Sequence, residues 1–400
     1  MFPTRVVSKL VVKERRILLA LSNAPAPFGN AAARWYYVLL KGLQELGYRV
    51  TAFAASTDPK ETETAQGLFP AGQFDLRCYP FPRRNGLVAK WQTFRQPHGY
   101  NFSSALRRDL RTEISRGFDI LHCEQTWTGW LGLDVPKQTV VNVHYSFQID
   151  CAHLEPGSFR EHLMTKRTQQ AERRLLRRFP VICALTEPLA QRVRNINPHA
   201  RVEVIPLGLD STLYEYRERR PTAAEPVIGM IGSFDWQPTY LAGKRLLCRL
   251  WPRIHAEIPG ARLMLVGRHA RKAMEPLGCG PGVEIHESVP EIAPYFHALD
   301  VFVYAPTHGS GMKVKVLEAF AFGAPVVTTQ SGAEGLPLSP GVHACIGDSD
   351  EEIVHQTVTL LRHPDRALQQ ARESRQLLET YCSPQTTVQQ YSKLYETMCS

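Results

Sequence analysis

The residues best suited to chemistry lie in one segment, residues 305–329, which reads APTHGSGMKVKVLEAFAFGAPVVTT. Gly309, Ser310 and Gly311 follow an apolar strand and precede a helix that is expected to begin near Met312. Backbone amides at the start of a helix bind anions, and glycines let an anion approach closely. The segment is therefore predicted to bind a pyrophosphate.

Two lysines and a glutamate in the same segment add groups that a nucleotide sugar needs. Lys313 and Lys315 supply positive charge, and Glu318 follows Lys315 by three residues, which places both on one helix face. Together they can present a cation and a hydroxyl acceptor. A purely structural strand–loop–helix unit would explain the glycines, but less readily the two lysines.

The elements that must position this segment form two similar series. Short apolar runs rich in branched residues alternate with helical stretches over residues 16–185 and again over residues 226–347. Strands that are apolar throughout are typical of parallel sheets covered by helices on both faces. We therefore predict an α/β fold with two doubly wound parallel-sheet domains, whose ligands bind beyond the carboxyl ends of the strands.

The second half contains VIGMIGSFDWQPTY, PGARLMLVGR, VPEIAPYFHALDVFVYAP, GSGMKVKVLEAFAFGAPVVTT and GAEGL, in that order. These strings resemble the C-terminal domain of the retaining GT-B glycosyltransferases called glycosyltransferase family 4, or group 1. The first half resembles the family more weakly, through FDILHCEQ, TVVNVHYS, CALTEPLAQRV and VEVIPLGLD. The resemblance implies two Rossmann-like domains that face each other across a cleft.

The resemblance also implies domain boundaries. Residues 1–205 are expected to form the N-terminal, acceptor-side domain, and residues 226–383 the domain that binds the nucleotide sugar. Residues 206–225 are charged and turn-rich, which suits a hinge. The final helix, residues 384–400, is expected to pack back on the N-terminal domain.

One half of the family's E-x7-E signature is present. Glu318 resembles its second glutamate, which implies that it holds ribose hydroxyls of the donor. The first glutamate would fall at position 310, where this chain has Ser310. That difference leaves the donor sugar open, and the backbone amides of Gly311 and Met312 are expected to replace the carboxylate.

The family's arginine and lysine that grip the diphosphate have no clean counterpart after the first strand of the second domain. Ser233 is the donor-binding candidate there, in GSFDWQPTYLAGKR. Arg268, Lys313 or Lys315 is expected to neutralise the phosphates, and the sequence does not choose among them.

Two further candidates come from the first half. His144 ends the run TVVNVH and resembles the histidine that contacts the transferred sugar, although a strand-end histidine bonded to a loop is the more ordinary role. Gly29 lies in the loop after the first strand, which resembles the family's glycine loop near donor and acceptor. His122 and Glu124 follow another strand, where an acceptor-side role and a structural role are both open.

Neither a metal nor a cofactor is expected. Residues Asp348 to Asp350 spell D-x-D, but they precede a helical pattern, where acids are typical caps. No GxGxxG follows a strand and no Walker lysine is present, so dinucleotide oxidoreduction and P-loop chemistry are excluded.

The charge distribution indicates an anionic partner. The net charge is +12 over the first 200 residues and −3 over the rest, and residues 83–116 and 160–178 are strongly basic. Solvated helix faces explain such runs as well as contact with a phospholipid surface or a phosphorylated acceptor does. Nucleic acid is not expected, because the basic helix lacks interleaved aromatic residues.

Composition and cysteine content suggest a location. Hydrophobic residues make up 44% of the chain and charged residues 21%, which excludes wholesale disorder and a membrane bundle. Nine scattered cysteines without CxxC indicate reduced thiols, and the apolar stretch Ile17 to Leu21 is too short for a signal peptide. A cytoplasmic protein is expected, with peripheral contact at the inner face of the membrane left open.

The resemblance thus implies a metal-independent, retaining glycosyltransferase. A UDP- or GDP-sugar is the expected donor, and a glycan or lipid-linked saccharide is the expected acceptor, as in polysaccharide biosynthesis. The alternatives are an epimerase or phosphorylase on the same two-domain plan, and a carbohydrate- or membrane-binding protein without activity, which the serine at position 310 favours.

Overall fold

The computed structural model describes most of the chain: residues 15–56, 58–70, 72, 74–82, 86–151, 158–218 and 225–400, with residues 87–90 described by their backbone only. Arg83 and Arg84 of the first basic run, and residues 219–224 of the predicted hinge, lie outside the described residues.

The described residues form thirteen strands in two sheets. The strands are β1 Arg16–Leu21, β2 Arg49–Ser56, β3 Asp75–Pro80, β4 Ile120–Glu124, β5 Thr139–Val143, β6 Val181–Ala184, β7 Arg201–Val204, β8 Val227–Ile231, β9 Arg262–Gly267, β10 Val283–Glu287, β11 Val301–Tyr304, β12 Val326–Thr328 and β13 Cys345–Ile346. The first sheet has the order β3-β2-β1-β4-β5-β6-β7, and the second has the order β10-β9-β8-β11-β12-β13.

Helices follow most of these strands. They are α1 Ala31–Glu45, α2 Pro59–Leu68, α3 Gly86–Arg95, α4 Ser104–Ser115, α5 Phe147–Asp150, α6 Phe159–Leu176, α7 Glu187–Ile196, α8 Gln237–Arg245, α9 Trp251–Glu257, α10 Ala270–Met274, α11 Ala293–Ala298, α12 Val314–Phe322, α13 Asp350–Arg362, α14 Pro364–Tyr381 and α15 Pro384–Cys399. Among the described residues, no helix combines the length and the apolar character that crossing a bilayer requires.

Both sheets are doubly wound, as predicted. Every pairing in the second sheet is parallel, and so are the pairings that join β3, β2, β1, β4 and β5. The central strands β1, β4, β5, β8 and β11 are buried along their whole length, or nearly so, because helices cover both faces. In the second sheet the strand order reverses between β8 and β11, which is the point where such sheets bind ligands.

The chain divides into two compact units. The first unit contains the residues up to Asn142, together with residues 174–182 and 388–400. The second unit contains residues 143–173 and 183–387, so His144 belongs to it with the whole 305–329 segment. The domain boundaries drawn from the sequence at residues 205 and 226 stay a prediction.

Two strands were not predicted. β3 alternates polar and apolar residues at the edge of the first sheet, and β7 lies at its other edge, within the stretch taken as the start of the turn-rich connection. An edge strand is covered less than a central one, so its sequence need not be apolar throughout, and the apolar-run criterion misses it.

The C-terminal helix α15 packs on the first unit. Tyr395 Oη lies 2.5 Å from Nδ1 of the fully buried His122, and Asn142 Nδ2 donates to Tyr391 Oη at 2.8 Å. Arg15 makes two 2.9 Å bonds to Glu396. These contacts fix the C-terminal helix beside β4 and β5.

Candidate functional site

The loop that connects β11 to α12 carries the candidate site. It leaves the sheet at the point where the strand order reverses, and it contains the predicted residues Gly309 to Lys313. α12 begins at Val314, two residues later than the sequence suggested, because the loop between Gly309 and Lys313 is held by side chains and does not continue as helix.

Ser310 is bound by its own chain rather than left open. Its backbone amide donates to Asp150 Oδ1 at 2.7 Å, and its hydroxyl donates to the same oxygen at 2.8 Å. The amide of Ser146 in turn donates to Ser310 Oγ at 2.7 Å. These bonds join the segment 144–150 to the glycine loop.

Gly311 packs against the backbone of His144. A Cβ at position 311 would lie 2.0 Å from the carbonyl oxygen of His144, and the φ of Gly311 is +78°. Only glycine fits both conditions without strain. The structure therefore brings together the glycine loop and the strand-end histidine.

Glu334 binds the same loop from the glycine-lined segment after β12. Its Oε1 accepts hydrogen bonds from the amide of Gly311 at 3.2 Å and from Thr186 Oγ1 at 2.6 Å. The amides of Ser310 and Gly311, predicted to receive an anion, therefore each bind a carboxylate of this chain.

Lys313 stabilises the loop from within. Its side chain is 7% exposed, and its ammonium group donates to the carbonyl oxygens of Gly309, at 3.3 Å, and of Gly311. Glu334 Oε2 lies 3.8 Å from the same ammonium. Burial lowers the pKa of Lys313, which the nearby charges of Glu334 and Asp150 oppose.

Lys315 is the other cation of the loop region, on the first turn of α12. Its Nζ donates to Thr239 Oγ1 at 2.9 Å and lies 4.6 Å from the centre of the Tyr304 ring. A Cβ at Gly232, directly after β8, would lie 3.1 Å from Cε of Lys315. The lysine therefore lies between the ends of β8 and β11, at the reversal of strand order.

The pKa of Lys315 is lowered to about 8, because burial and the positive charge of Lys313 lower it by more than the charge of Glu318 raises it. Glu318 lies one turn further along α12 and is 8% exposed. A half-buried ammonium whose charge is incompletely solvated is stabilised by a ligand that brings negative charge.

Three other predicted donor residues, Ser233, Arg268 and Met312, belong to the same unit. Ser233 follows β8 by two residues and donates to Asp235 at 2.7 Å, while Arg268 is exposed at the end of β9. Met312 is buried, and its Sδ lies 3.3 Å from the amide nitrogen of Leu207. Gly29 lies apart in the first unit, just before Asn30, which caps α1.

A buried glutamate fixes the segment that follows His144. Glu172, on α6, accepts hydrogen bonds from the amides of Phe147 at 2.8 Å and Gln148 at 3.4 Å, and thereby caps the short helix α5. Burial raises the pKa of Glu172, and these amide bonds oppose the rise. The capped turn holds Asp150 at the position where it meets Ser310.

The structure gives His122 and Glu124 a structural role, which is one of the two roles that the sequence left open. Both are fully buried in the first unit, where His122 Nε2 lies 3.1 Å from Glu124 Oε1. Asn142 donates to the other carboxylate oxygen of Glu124 at 3.1 Å. The pair is built into the contact with α15.

The D-x-D residues form a helix cap. Ser349 and Glu352 form a reciprocal capping box at the start of α13, and Asp350 lies 2.8 Å from Nε of the buried Arg245. Among the residues that the structure describes, no cluster of histidine, cysteine and carboxylate side chains has the arrangement of a metal site.

Sequence reasoning missed Asp150, Glu172 and Glu334. Asp150 and Glu172 lie outside the glycine loop in sequence, and only folding brings Asp150 to it. Glu334 lies between two glycines in SGAEGL, so a lone carboxylate in a glycine-lined loop was the signal available.

The comparisons with known proteins agree with this architecture. The model of the family described as "Glycosyl transferases group 1" matches residues 225–363, and the model of "Glycosyltransferase Family 4" matches residues 32–213. The chain belongs to the group 1, family 4 glycosyltransferases. The family assignment made from the sequence motifs is therefore confirmed, and with it the assignment to an enzyme class that transfers glycosyl groups.

Individual relatives of this glycosyltransferase are distant. The D-inositol 3-phosphate glycosyltransferase of Segniliparus rotundus is 25% identical over 186 residues, and the match spans 42% of this chain but only 40% of that protein. Sucrose-phosphate synthase from Thermosynechococcus elongatus has a similar structure, with a TM-score of 0.70 at 16% identity over 96% of this chain and 99% of its own. Anabaena HepE in complex with UDP and glucose has a TM-score of 0.66 at 14% identity, over 96% and 100%. These likenesses confirm the GT-B fold.

Proposed function

We propose that this chain transfers a sugar from a nucleoside diphosphate sugar to an acceptor hydroxyl, with retention of the anomeric configuration. The observation that carries the proposal is the position of Lys315. Its half-buried side chain places the ammonium where the strand order of the second sheet reverses, on the same helix as the buried Glu318. The HepE structure, which shares the fold, contains UDP and glucose.

Lys315 is assigned to the diphosphate, because the ammonium of Lys313 already binds two carbonyl oxygens of its own loop. Arg268 and Ser233, after the neighbouring strands β9 and β8, contribute to the same phosphates. A fixed cation in a poorly solvated position stabilises the negative charge that grows on the departing diphosphate. Glu318 is assigned to the ribose hydroxyls.

His144 is assigned to the transferred sugar. Its backbone is fixed against Gly311, so the segment that carries the imidazole and the glycine loop have a defined spacing. A positioned imidazole orients the sugar while its anomeric carbon acquires oxocarbenium character. Gly29, in the first unit, is assigned by family resemblance alone to the loop near donor and acceptor.

The remaining assignments concern the surroundings of the reaction. Side-chain cations take the role that a metal has in other glycosyltransferases, so we propose a metal-independent reaction. The acceptor is proposed to be a glycan or a lipid-linked saccharide of polysaccharide biosynthesis in the cytoplasm. Basic surface on the first half, such as the depression lined by Arg107, Arg108 and Arg111 on α4, is proposed to favour an anionic acceptor or membrane surface.

A donor panel tests this function. UDP, GDP and their common sugars are added in excess EDTA, and the melting temperature is followed, since a ligand at a hundred times its Kd stabilises by about 2.7 kcal/mol. The nucleotides of one base, uracil or guanine, are expected to raise the Tm of the protein. With that donor and oligosaccharide acceptors, nucleoside diphosphate is released and the anomeric configuration of the product, followed by NMR, is retained.

Two variants sharpen the assay. Glu318→Ala is expected to lower the release at least a hundredfold, whereas the control Glu351→Ala, which removes an exposed glutamate on α13, leaves it unchanged. A Tm that responds to no nucleotide, together with no release, would refute the proposed function and favour a binding protein. Conversion of the donor in the absence of any acceptor would instead identify an epimerase.

A further inference from the structure

The glycine loop is electrostatically unsuited to the diphosphate. The amides of Ser310 and Gly311 are bound to the carboxylates of Asp150 and Glu334, and the one ammonium beside them, that of Lys313, is buried against carbonyl oxygens. A further anion placed close to these carboxylates is repelled by their charge. A ligand of this loop should therefore be neutral and should donate hydrogen bonds.

Asp150 has the acceptor that such a ligand requires. Its side chain is 6% exposed, and Oδ1 receives both bonds from Ser310. Its other oxygen, Oδ2, has no hydrogen-bond partner among the residues that the structure describes. Buried polar atoms are rarely left in this condition, because the lost hydration is not replaced.

Asp150 lies among the residues that are proposed above to bind the donor. Asp150 follows His144 by six residues in the segment that the Ser146–Ser310 bond joins to the glycine loop. Burial raises the pKa of Asp150, and the two hydrogen bonds from Ser310 and the charge of Lys313 oppose the rise. Lys315, the proposed diphosphate ligand, is the second residue of the helix that follows the same loop.

We propose that Asp150 is a specificity-determining residue, whose Oδ2 accepts a hydrogen bond from one hydroxyl of the donor sugar. This inference rests on the proposed function, because it assumes a nucleoside diphosphate sugar as the ligand. In this arrangement the cations of the site bind the phosphates, and the carboxylate at the glycine loop binds the sugar.

The test compares a nucleotide with its sugar conjugate in Asp150→Asn. The amide keeps an oxygen that accepts the Ser310 bonds, but it removes the negative charge and replaces Oδ2 with an NH2 group, which donates hydrogen bonds. Isothermal titration with the pair that the donor panel selects, beginning with UDP and UDP-glucose, is expected to show an unchanged Kd for the nucleotide. The Kd of the sugar conjugate should rise about 10- to 100-fold, which is the loss expected for a hydrogen bond to a charged group.

A matched control is Asp300→Asn, the same change at another buried carboxylate of the second unit, whose Oδ2 accepts a hydrogen bond from the amide of Val227 at 2.7 Å. It should leave the ratio of the two Kd values unchanged, even if Tm falls. Donors that each lack one sugar hydroxyl provide the decisive measurement. One deoxy donor should bind the wild-type chain more weakly by the factor that Asp150→Asn produces, and should bind Asp150→Asn no more weakly than the complete donor does.

Parallel changes in both Kd values, or no change in either, would overturn the assignment of Asp150 while leaving the proposed function intact. If every deoxy donor loses a further factor in the variant, the assignment is also refuted. A wild-type chain that binds no nucleotide at all would refute the proposed function, and this inference with it.

Discussion

At the scale of single residues, the structure separates two lysines that look equivalent in the sequence. Lys313 donates to the carbonyl oxygens of its own loop, whereas Lys315 lies across from β8 with Thr239 and the Tyr304 ring as partners. The lysine that already binds the loop holds it in shape, and the other is placed to meet a ligand.

The low pKa of Lys315 predicts a pH dependence of nucleotide binding. The ammonium is charged at pH 7 and loses its proton as the pH rises through about 8, whereas a lysine in water titrates near 10.4. A diphosphate binds the charged form, so its Kd should be constant between pH 6.5 and 7.5. Above pH 8 the Kd should increase by a factor that approaches ten for each pH unit, as measured by isothermal titration.

The control for this profile is Lys315→Met, which keeps most of the length of the side chain and removes its charge. Its Kd at pH 7 should be about 10- to 100-fold higher than that of the wild type and should not vary up to pH 9. A wild-type profile that is flat over the same range would show that another group binds the diphosphate.

At the scale of elements, the site depends on one close contact between a loop and a strand end. Position 311 has a positive φ and lies against the carbonyl of His144, so a side chain there meets two penalties at once. Sequence reasoning selected this glycine as one that admits an anion. The structure shows a second reason for glycine at this position, which is the close approach of the His144 backbone.

Gly311→Ala is predicted to separate the two elements. The left-handed φ costs about 1 kcal/mol or more, and the overlap with the carbonyl adds to it. Tm should fall by roughly 5 °C or more, and the nucleotide should no longer raise it.

Gly47→Ala is the matched control for this variant, because φ is +87° there and no atom lies within 4 Å of the added Cβ. Its Tm should fall by only about 2–4 °C, with normal stabilisation by the nucleotide. Equal falls in the two variants would mean that the contact with His144 contributes nothing.

At the scale of the whole molecule, the C-terminal residues belong to the same unit as the N-terminal half of the chain. Residues 388–400 belong to the first unit, although residues 183–387 belong to the second. The inward face of α15 carries two tyrosines whose hydroxyl groups bind buried polar groups at β4 and β5. The stability of the first unit is therefore expected to depend on the last residues of the chain.

Tyr391→Phe tests that dependence with the loss of a single oxygen. It removes the acceptor that Asn142 Nδ2 uses at 2.8 Å and leaves a buried N–H unpaired, at a cost of about 1–3 kcal/mol. Scanning calorimetry should show Tm lower by roughly 3–8 °C. A melting curve identical to that of the wild type would show that the contact with α15 is dispensable.

The sequence by itself determined the class of the fold and the family. Apolar runs that are buried on both sides are visible in the sequence, and so are glycines where backbone must pass close to other groups. The central strands, the basic helix α6, the final helix α15 and the D-x-D cap are therefore found close to where the sequence predicted them. The edge strands β3 and β7 were not predicted, because they are only partly buried and their sequences are not apolar throughout.

Only the tertiary structure decided which groups the glycine loop binds. The amides of Ser310 and Gly311 look available for an anion in the sequence, but Asp150 lies 160 residues away along the chain and Glu334 lies on another loop. Local patterns reveal which backbone groups need partners, because that need follows from the residue and its neighbours. The identity of the partner depends on packing between distant segments, which no local pattern records.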